Sequence, residues 1–359
     1  MSLYSPVVVL GLYVEAFFCF YWLQKFWPVK LEASRNASID GLRGFLAFGV
    51  FVHHASIWFV FLKTGVWDVP DSRLFAHLGQ STVTLFFMIT GYLFFGRLLA
   101  QQQTLINWFR LYRSRVLRIV PLYLVVMLLA VVVIAVIRHT NWLPPTGELW
   151  AKKSLLGLFT AGVTWTLAYE WKFYFALPLL GLLMGVRPAW RWLGFAVLML
   201  ALTKAHLALD IHAFAFVGGM AAALLSRHTG FRKMVAHHLA SVWVVTAVAL
   251  VITGFDTAYA VLPTVLLGTA FCLIANGANV WGLLSAPLTR AFGEITYSVY
   301  LLHGPLLFIV FRLAIGMDQA ASFSPNVHWG YVAALIPILM SVSLASFKLF
   351  ELPITRRGS

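Results

Sequence analysis

Hydrophobic residues make up 61% of this 359-residue chain and charged residues only 11%, far from the roughly 45–50% and about 25% of soluble domains, so it belongs to the polytopic membrane class. The formal net charge of +14 does not mark a nucleic-acid binder, because the basic residues sit in short connections between apolar runs and not on a soluble face. The two cysteines, Cys19 and Cys272, lie inside apolar runs without a CxxC or Cys/His spacing, which argues against a redox or metal role.

The first run, VVVLGLYVEAFFCFYWLQKFW, is too long for a signal-peptide core. It has no basic residue before it and no small-residue cleavage pattern behind it, so it reads as a retained helix. At about 20 apolar residues per span, helices are expected near 7-27, 42-62, 79-100, 116-137, 167-186, 191-208, 211-226, 238-255, 258-277, 293-315 and 329-350, about 11 in all. The fold class is therefore an all-α polytopic membrane protein.

An N-terminus outside gathers Lys25, Lys30, Arg35, Arg43, Arg97, Arg110, Arg113, Arg115, Arg118, Arg187, Arg191, Arg227, Arg232, Lys233, Arg290, Lys348, Arg356 and Arg357 on the cytoplasmic side. Only Lys63, Arg73, Arg138, Lys152, Lys153, Lys204 and Arg312 fall outside, as the positive-inside rule prefers. An odd number of spans then leaves the C-terminus in the cytoplasm. No separate soluble domain fits, because the longest connection, 138-165, is short and rich in Trp, Leu and Phe. It reads as an outer loop or half-inserted segment, and no transporter-like internal repeat is seen.

Ionisable residues inside apolar runs are the first candidates for function. In IDGLRGFLAFGVFVHHASIWF, Arg43 and His54 are eleven residues apart, within roughly 20° on one helical face and about 16 Å apart along the axis. His53 is rotated about 80° the other way and reads more plainly as a core histidine. His54 suits proton transfer because an imidazole takes and returns a proton near neutral pH. The plainer reading of Arg43 is a snorkelling residue paired with Asp40.

Next, RLYRSRVLRIVPLY (110-123) places Arg115 and Arg118 on one face with Arg110 and Arg113 beside them. Guanidinium forks match phosphate oxygens, so the patch suits a phosphorylated donor; the rival is a topogenic or headgroup role.

TWTLAYEWKFYFALPLL carries Glu170, for which Lys172 is too close along the chain, so another helix should supply a cation or donor. Trp165 is an aromatic wall or an interfacial anchor. In ITYSVYLLHGPLLFIV, His303 should lie at the depth of His54, with Tyr297 and Tyr300 on nearby faces and Pro305 kinking the helix. Gly218-Gly219 suits close helix packing. Walker, dinucleotide, HExxH and Gly-x-Ser-x-Gly motifs are absent from the sequence.

Taken in order, IDGLRG with the Arg-x10-His spacing, FFMITGYLF, the Arg-x-x-Arg with Pro121 and Tyr123, WTLAYEWKFY, YSVYLLHGP and FELPITRR resemble the acyltransferase-3 integral membrane O-acyltransferases. The resemblance covers 36-357, leaving 1-35 as an extra N-terminal transmembrane helix and linker before a ten-helix core. It implies transfer of an acyl group, usually acetyl from acetyl-CoA, to a hydroxyl of a cell-envelope glycan.

By that resemblance His54 is the catalytic histidine, Arg43 and Glu170 support it, and Arg115 and Arg118, with Arg113 and Tyr123 beside them, hold the acyl-CoA. His303, Tyr297, Tyr300, Trp165, Asp40 and His53 are the further lining candidates, and no metal is expected. The chain departs from the family pattern at Thr90, where a serine is usual, and at Trp171, where a second acid is common.

The implied partners are the lipid bilayer of a bacterial cytoplasmic (inner) membrane, acyl-CoA and a glycan or lipid-linked saccharide, such as lipopolysaccharide or exopolysaccharide, with envelope-glycan biosynthesis proteins. The competing class is a proton-coupled transporter or flippase built on the same intramembrane Arg, His and Glu.

Overall fold

The computed structural model describes residues 2–31, 36–100, 106–139, 155–186, 188–203, 210–235 and 238–358, with backbone only at 138, 139, 357 and 358. Most of the 138-165 connection, and Arg35, Lys152, Lys153, Arg187 and Lys204 of the charge pattern, lie outside the described residues.

In chain order the helices are α1 (Pro6–Phe26), α2 (Ala37–Thr64), α3 (Arg73–Ala100), α4 (Trp108–His139), α5 (Leu155–Phe159), α6 (Thr164–Leu183), α7 (Trp190–Leu202) and α8 (Ile211–Leu225). There follow α9 (Thr229–Val235), α10 (His238–Gly254), α11 (Val261–Ala275), α12 (Pro287–Glu294), α13 (Thr296–Phe308), α14 (Met317–Ala321), α15 (Pro325–Ser346) and α16 (Leu352–Gly358). Wide π turns continue α13 over Ile309–Ala314 and join α15 to α16 over Phe347–Glu351. No strand occurs among the described residues.

Each expected span contains a helix, but the lengths differ from expectation. Among the described residues six helices are long and apolar enough to cross a membrane: α1, α2, α3, α4, α13 with its π turn, and α15 with its continuation. α7, α8 and α11 are apolar but only 13, 15 and 15 residues long, short of the ~20 residues a straight crossing needs. The twenty-residue α6 carries Glu170 and Lys172. Evenly spaced hydropathy therefore reads as equal spans, whereas the helices differ in length, and α9 with α10 forms a seventh candidate only as a pair bent by 77°.

In lipid, packing and not water exclusion holds helices together, and burial separates their roles. Only 22% of the most apolar window of α1 and of α4 is buried, against 78% for α2, which makes α2 the central helix. α1 commits one stripe, Val8, Leu12, Ala16 and Phe20, at four-residue spacing, with α15 as its main neighbour.

α2 begins at Asn36, whose side chain accepts from Ile39 N and donates to the Ala275 carbonyl at the last turn of α11, satisfying one orphan group at each helix end. Tight backbone approach then fixes its first turns. A β-carbon on Gly41 would fall 1.9 Å from the Leu284 carbonyl oxygen, and one on Gly293 of α12 would fall 1.8 Å from that of Asp40. A second such contact joins α3 to α8, where Gly219 meets the Met88 carbonyl and Gly91 that of Phe216, the close packing expected of the paired glycines.

Candidate active site

Between α2, α3, α4, α6 and α13 lies a cavity of about 140 Å³. Its polar wall is Arg43, Thr90, Arg115, Arg118, Thr166, Glu170, Tyr174, Thr296, Tyr297 and Tyr300, set among Phe86, Phe87, Ile89 and Phe94. Leu93, also in the wall, is 44% exposed.

Each charged group is held from more than one helix. Glu170 accepts from Thr90 Oγ1 of α3 at 3.3 Å and from Tyr174 OH of its own helix at 3.0 Å, with Arg115 and Arg118 in electrostatic reach. Thr90 thus keeps the hydroxyl of the usual serine and spends it on the carboxylate. Lys172 turns away, its ammonium 5.0 Å from the Tyr169 ring. Arg115 lies 5.0 Å over the Phe94 ring, a stacking that suits a planar guanidinium.

Arg43 is surrounded by Glu294, Asp40 and Glu351 and by the like charge of Arg118. Asp40 is therefore one of three acidic influences at a distance, and no ion pair joins it to Arg43. Glu351 is buried at the π turn after α15 and accepts from Ser298 Oγ of α13.

The two histidines of α2 face different neighbours, and His54, which helical spacing puts on the face of Arg43, is not in the cavity wall with it. His53 is packed into α3: its Nδ1 donates to the Phe75 carbonyl at 2.7 Å, and a β-carbon on Gly79 would collide with its ring. His54 faces α13, where its Nδ1 is 3.0 Å from the Val50 carbonyl and 3.1 Å from His303 Nε2. The rings stack with centroids 5.1 Å apart, and Trp67 stacks on His54 at 6.3 Å.

These bonds assign the tautomers. A carbonyl only accepts, so His303 Nδ1 donates to Val299 O at 3.1 Å and its Nε2 keeps a lone pair. His54 Nδ1–H is shared between the Val50 carbonyl of its own helix and that lone pair, which puts the lone pair of His54 on Nε2. A base oriented through its other nitrogen is the recurring form of a catalytic histidine.

The histidine pair stands just beyond the cavity wall. Tyr300 lines the cavity and its ring centroid is 6.1 Å from that of His303. Its hydroxyl meets Thr166 Oγ1 at 2.8 Å, while Tyr297 OH donates to the Ile119 carbonyl of α4 at 2.6 Å.

Of the sequence candidates, Arg43, Arg115, Arg118, Glu170, Tyr297 and Tyr300 meet around one cavity, with His303 beside Tyr300 and His54 bonded in turn to His303. Arg113 is exposed, and Asp40, His53, Tyr123 and Trp165 are not in the wall. Tyr123 packs into the core instead, and Trp165, in the first turn of α6, belongs to a ring cluster with Tyr169 and His212.

Sequence reasoning missed Trp67, Tyr174, Thr166 and the Ser298–Glu351 pair. The FELP segment was the available signal for Glu351, but its reach to Arg43 depends on the π turn. Trp67 comes from a short connection with no periodicity to read.

No curated protein and no solved structure matches the chain significantly. A family profile described as an acyltransferase domain matches residues 36–347, most of the sequence and every helix that walls the cavity. The chain belongs to the acyltransferase-3 family, and with its long apolar helices it is an integral membrane acyltransferase.

Proposed function

We propose that this protein transfers an acetyl group from acetyl-CoA to a hydroxyl of a cell-envelope or secreted glycan across the bacterial cytoplasmic membrane. The observation that carries this reading is the shared wall: Arg43, Arg115 and Arg118 line the same cavity as Tyr300, whose ring adjoins the His303–His54 pair. The orientation is the one favoured by the basic residues, with the arginine end cytoplasmic, the C-terminus inside and the further short helices completing the crossings.

The arginines take the phosphates of coenzyme A by paired guanidinium hydrogen bonds. A cavity of about 140 Å³ is small beside the roughly 300–1,000 Å³ of pockets that enclose a whole drug-sized ligand, which suits an extended pantetheine arm better than the nucleotide. Tyr297 and His303 are six residues apart on α13, about 9 Å along the axis, so the thioester has a short way to travel from cavity to base.

The acceptor hydroxyl then gives its proton to His54 Nε2 as its oxygen attacks the thioester carbon. The C–S bond breaks, and the proton passes to the departing thiolate. His303 holds the imidazole and accepts the Nδ1–H bond that strengthens as His54 becomes positive.

Purified protein in liposomes, given radiolabelled acetyl-CoA and an envelope-glycan extract, should label the glycan. His54→Ala should not, and full transfer by that variant would remove the assignment. Stable label on the washed protein without acceptor would replace direct transfer by an acyl-enzyme route. Labelled substrate crossing the bilayer with no acetyl transfer would favour the transporter reading.

A further inference from the structure

Beyond the cavity, the densest group of rings and polar atoms surrounds His212 in the first turn of α8. The ring centroids of Tyr259, Tyr169 and Trp165 lie 4.5, 5.0 and 5.1 Å from the His212 ring. Asp210, the N-cap of α8, accepts from the Tyr169 hydroxyl and from His212 Nδ1 at 3.0 Å.

The group is accessible, with side-chain exposures of 41% for Asp210 and 18% for His212 and 38% exposure at Trp165. An ionised carboxylate is costly against lipid, so the opening faces water or a polar ligand. Burial pushes the Asp210 carboxyl up, but the bonds from Tyr169 and His212 outweigh it and hold the group below the usual carboxylate range. It is an anion at neutral pH.

The cluster adjoins the cavity at the end away from Arg115. Phe87, whose ring centroid is 6.2 Å from that of Trp165, lines the cavity, as do Thr166 and Leu167 immediately after Trp165. A molecule resting on the cluster would therefore have the reaction site beside it.

The available chemistry is specific. Asp210 only accepts hydrogen bonds, and the neutral form of His212, having given Nδ1–H to it, presents an accepting Nε2. Both suit a ligand that donates from hydroxyl groups and both disfavour an anion. Trp165 adds a broad apolar face with a polar edge. A ligand with hydroxyls around its rim and an apolar C–H face meets all three, and that ligand is a sugar ring.

We propose that Asp210, His212 and Trp165 form a binding subsite for a neutral saccharide unit of the acceptor, an inference that rests on the glycan-transfer reading above. Asp210 and His212 accept from its hydroxyls, and Trp165 stacks beneath the ring. Tyr169 and Tyr259 hold His212 in place.

Saturation-transfer NMR on the full-length protein in detergent reads this subsite without turnover, using methyl glucoside, methyl rhamnoside and methyl glucuronide as probes. Asp210→Asn keeps the helix cap, because asparagine caps as well as aspartate, and Trp165→Ala removes the stacking face. The wild type should bind the neutral glycosides in preference to the glucuronide. Each variant should weaken that binding by about tenfold, the loss of one hydrogen bond to a charged group or one stacked ring.

Equal binding by wild type and both variants, or a preference for the glucuronide, overturns the subsite. Acetyl transfer to glycan with an acceptor KM unchanged in both variants keeps the transfer reading and removes the subsite. Neutral-glycoside binding that both variants lose, with no transfer to any glycan, keeps the saccharide site and removes the transfer reading.

Discussion

The arginine end of the cavity and the histidine pair beyond it use opposite kinds of order. At the arginine end, Arg43, Arg115, Arg118, Glu170 and Glu351 act on one another through space from several helices, so position is set by a sum of charges. At the histidine pair, two imidazoles are fixed by main-chain carbonyls and by each other, so position and tautomer are set by single bonds. A charge field tolerates a shifted or lost member, whereas a bonded pair fails when one atom is removed. On the proposed reading, binding the donor's phosphates would use the first property and proton transfer the second.

This contrast breaks most sharply at His54. His54→Ala should lower the turnover of acetyl transfer by about 10³-fold, within the range for a lost general base, while acetyl-CoA binding measured by calorimetry stays near wild type. His303→Ala should lower turnover by about 10²-fold through loss of orientation. His303→Gln, whose side-chain oxygen can accept from His54 Nδ1, should recover part of that loss. Equal effects of the two His303 variants would argue for packing alone.

At the arginine end the expected effects are smaller and of another kind. Arg118→Ala should raise the acetyl-CoA KM by about tenfold, the scale of one hydrogen bond to a charged group, with little change in turnover. The ratio to wild type should shrink in high salt. His53→Gln should change turnover least, by less than about threefold, yet cost about 1–2 kcal/mol of stability from the lost Phe75 bond and ring packing. A thermal melt in detergent checks it, and a turnover loss matching that of His54→Ala would erase the distinction between the two neighbours.

How much of this was legible in the sequence depended on the distance over which each feature acts. His54 and His53 were separable because 100° per residue is a local property of one helix, and the same count placed Arg115 with Arg118. The approach of Glu170 to Thr90 was legible only as a need for some partner. Glu351 was hidden because a π turn shifts the helical register at the point where the residue swings toward Ser298. Helix length was not legible either: apolar runs that look equal in a hydropathy pattern fold into helices of 13 to 15 residues as well as into long ones.

The glycine contacts that pin the start of α2 against Leu284 and α12 carry a consequence for traffic. With no room for a single methyl group between Gly41 and Leu284 or between Gly293 and Asp40, these backbones cannot slide past one another without a collision. The arginine end therefore has one immovable jamb. On the proposed reading, room for a donor at this end would have to come from α4 and α6, because α3 is pinned to α8 by the same kind of contact at Gly91 and Gly219.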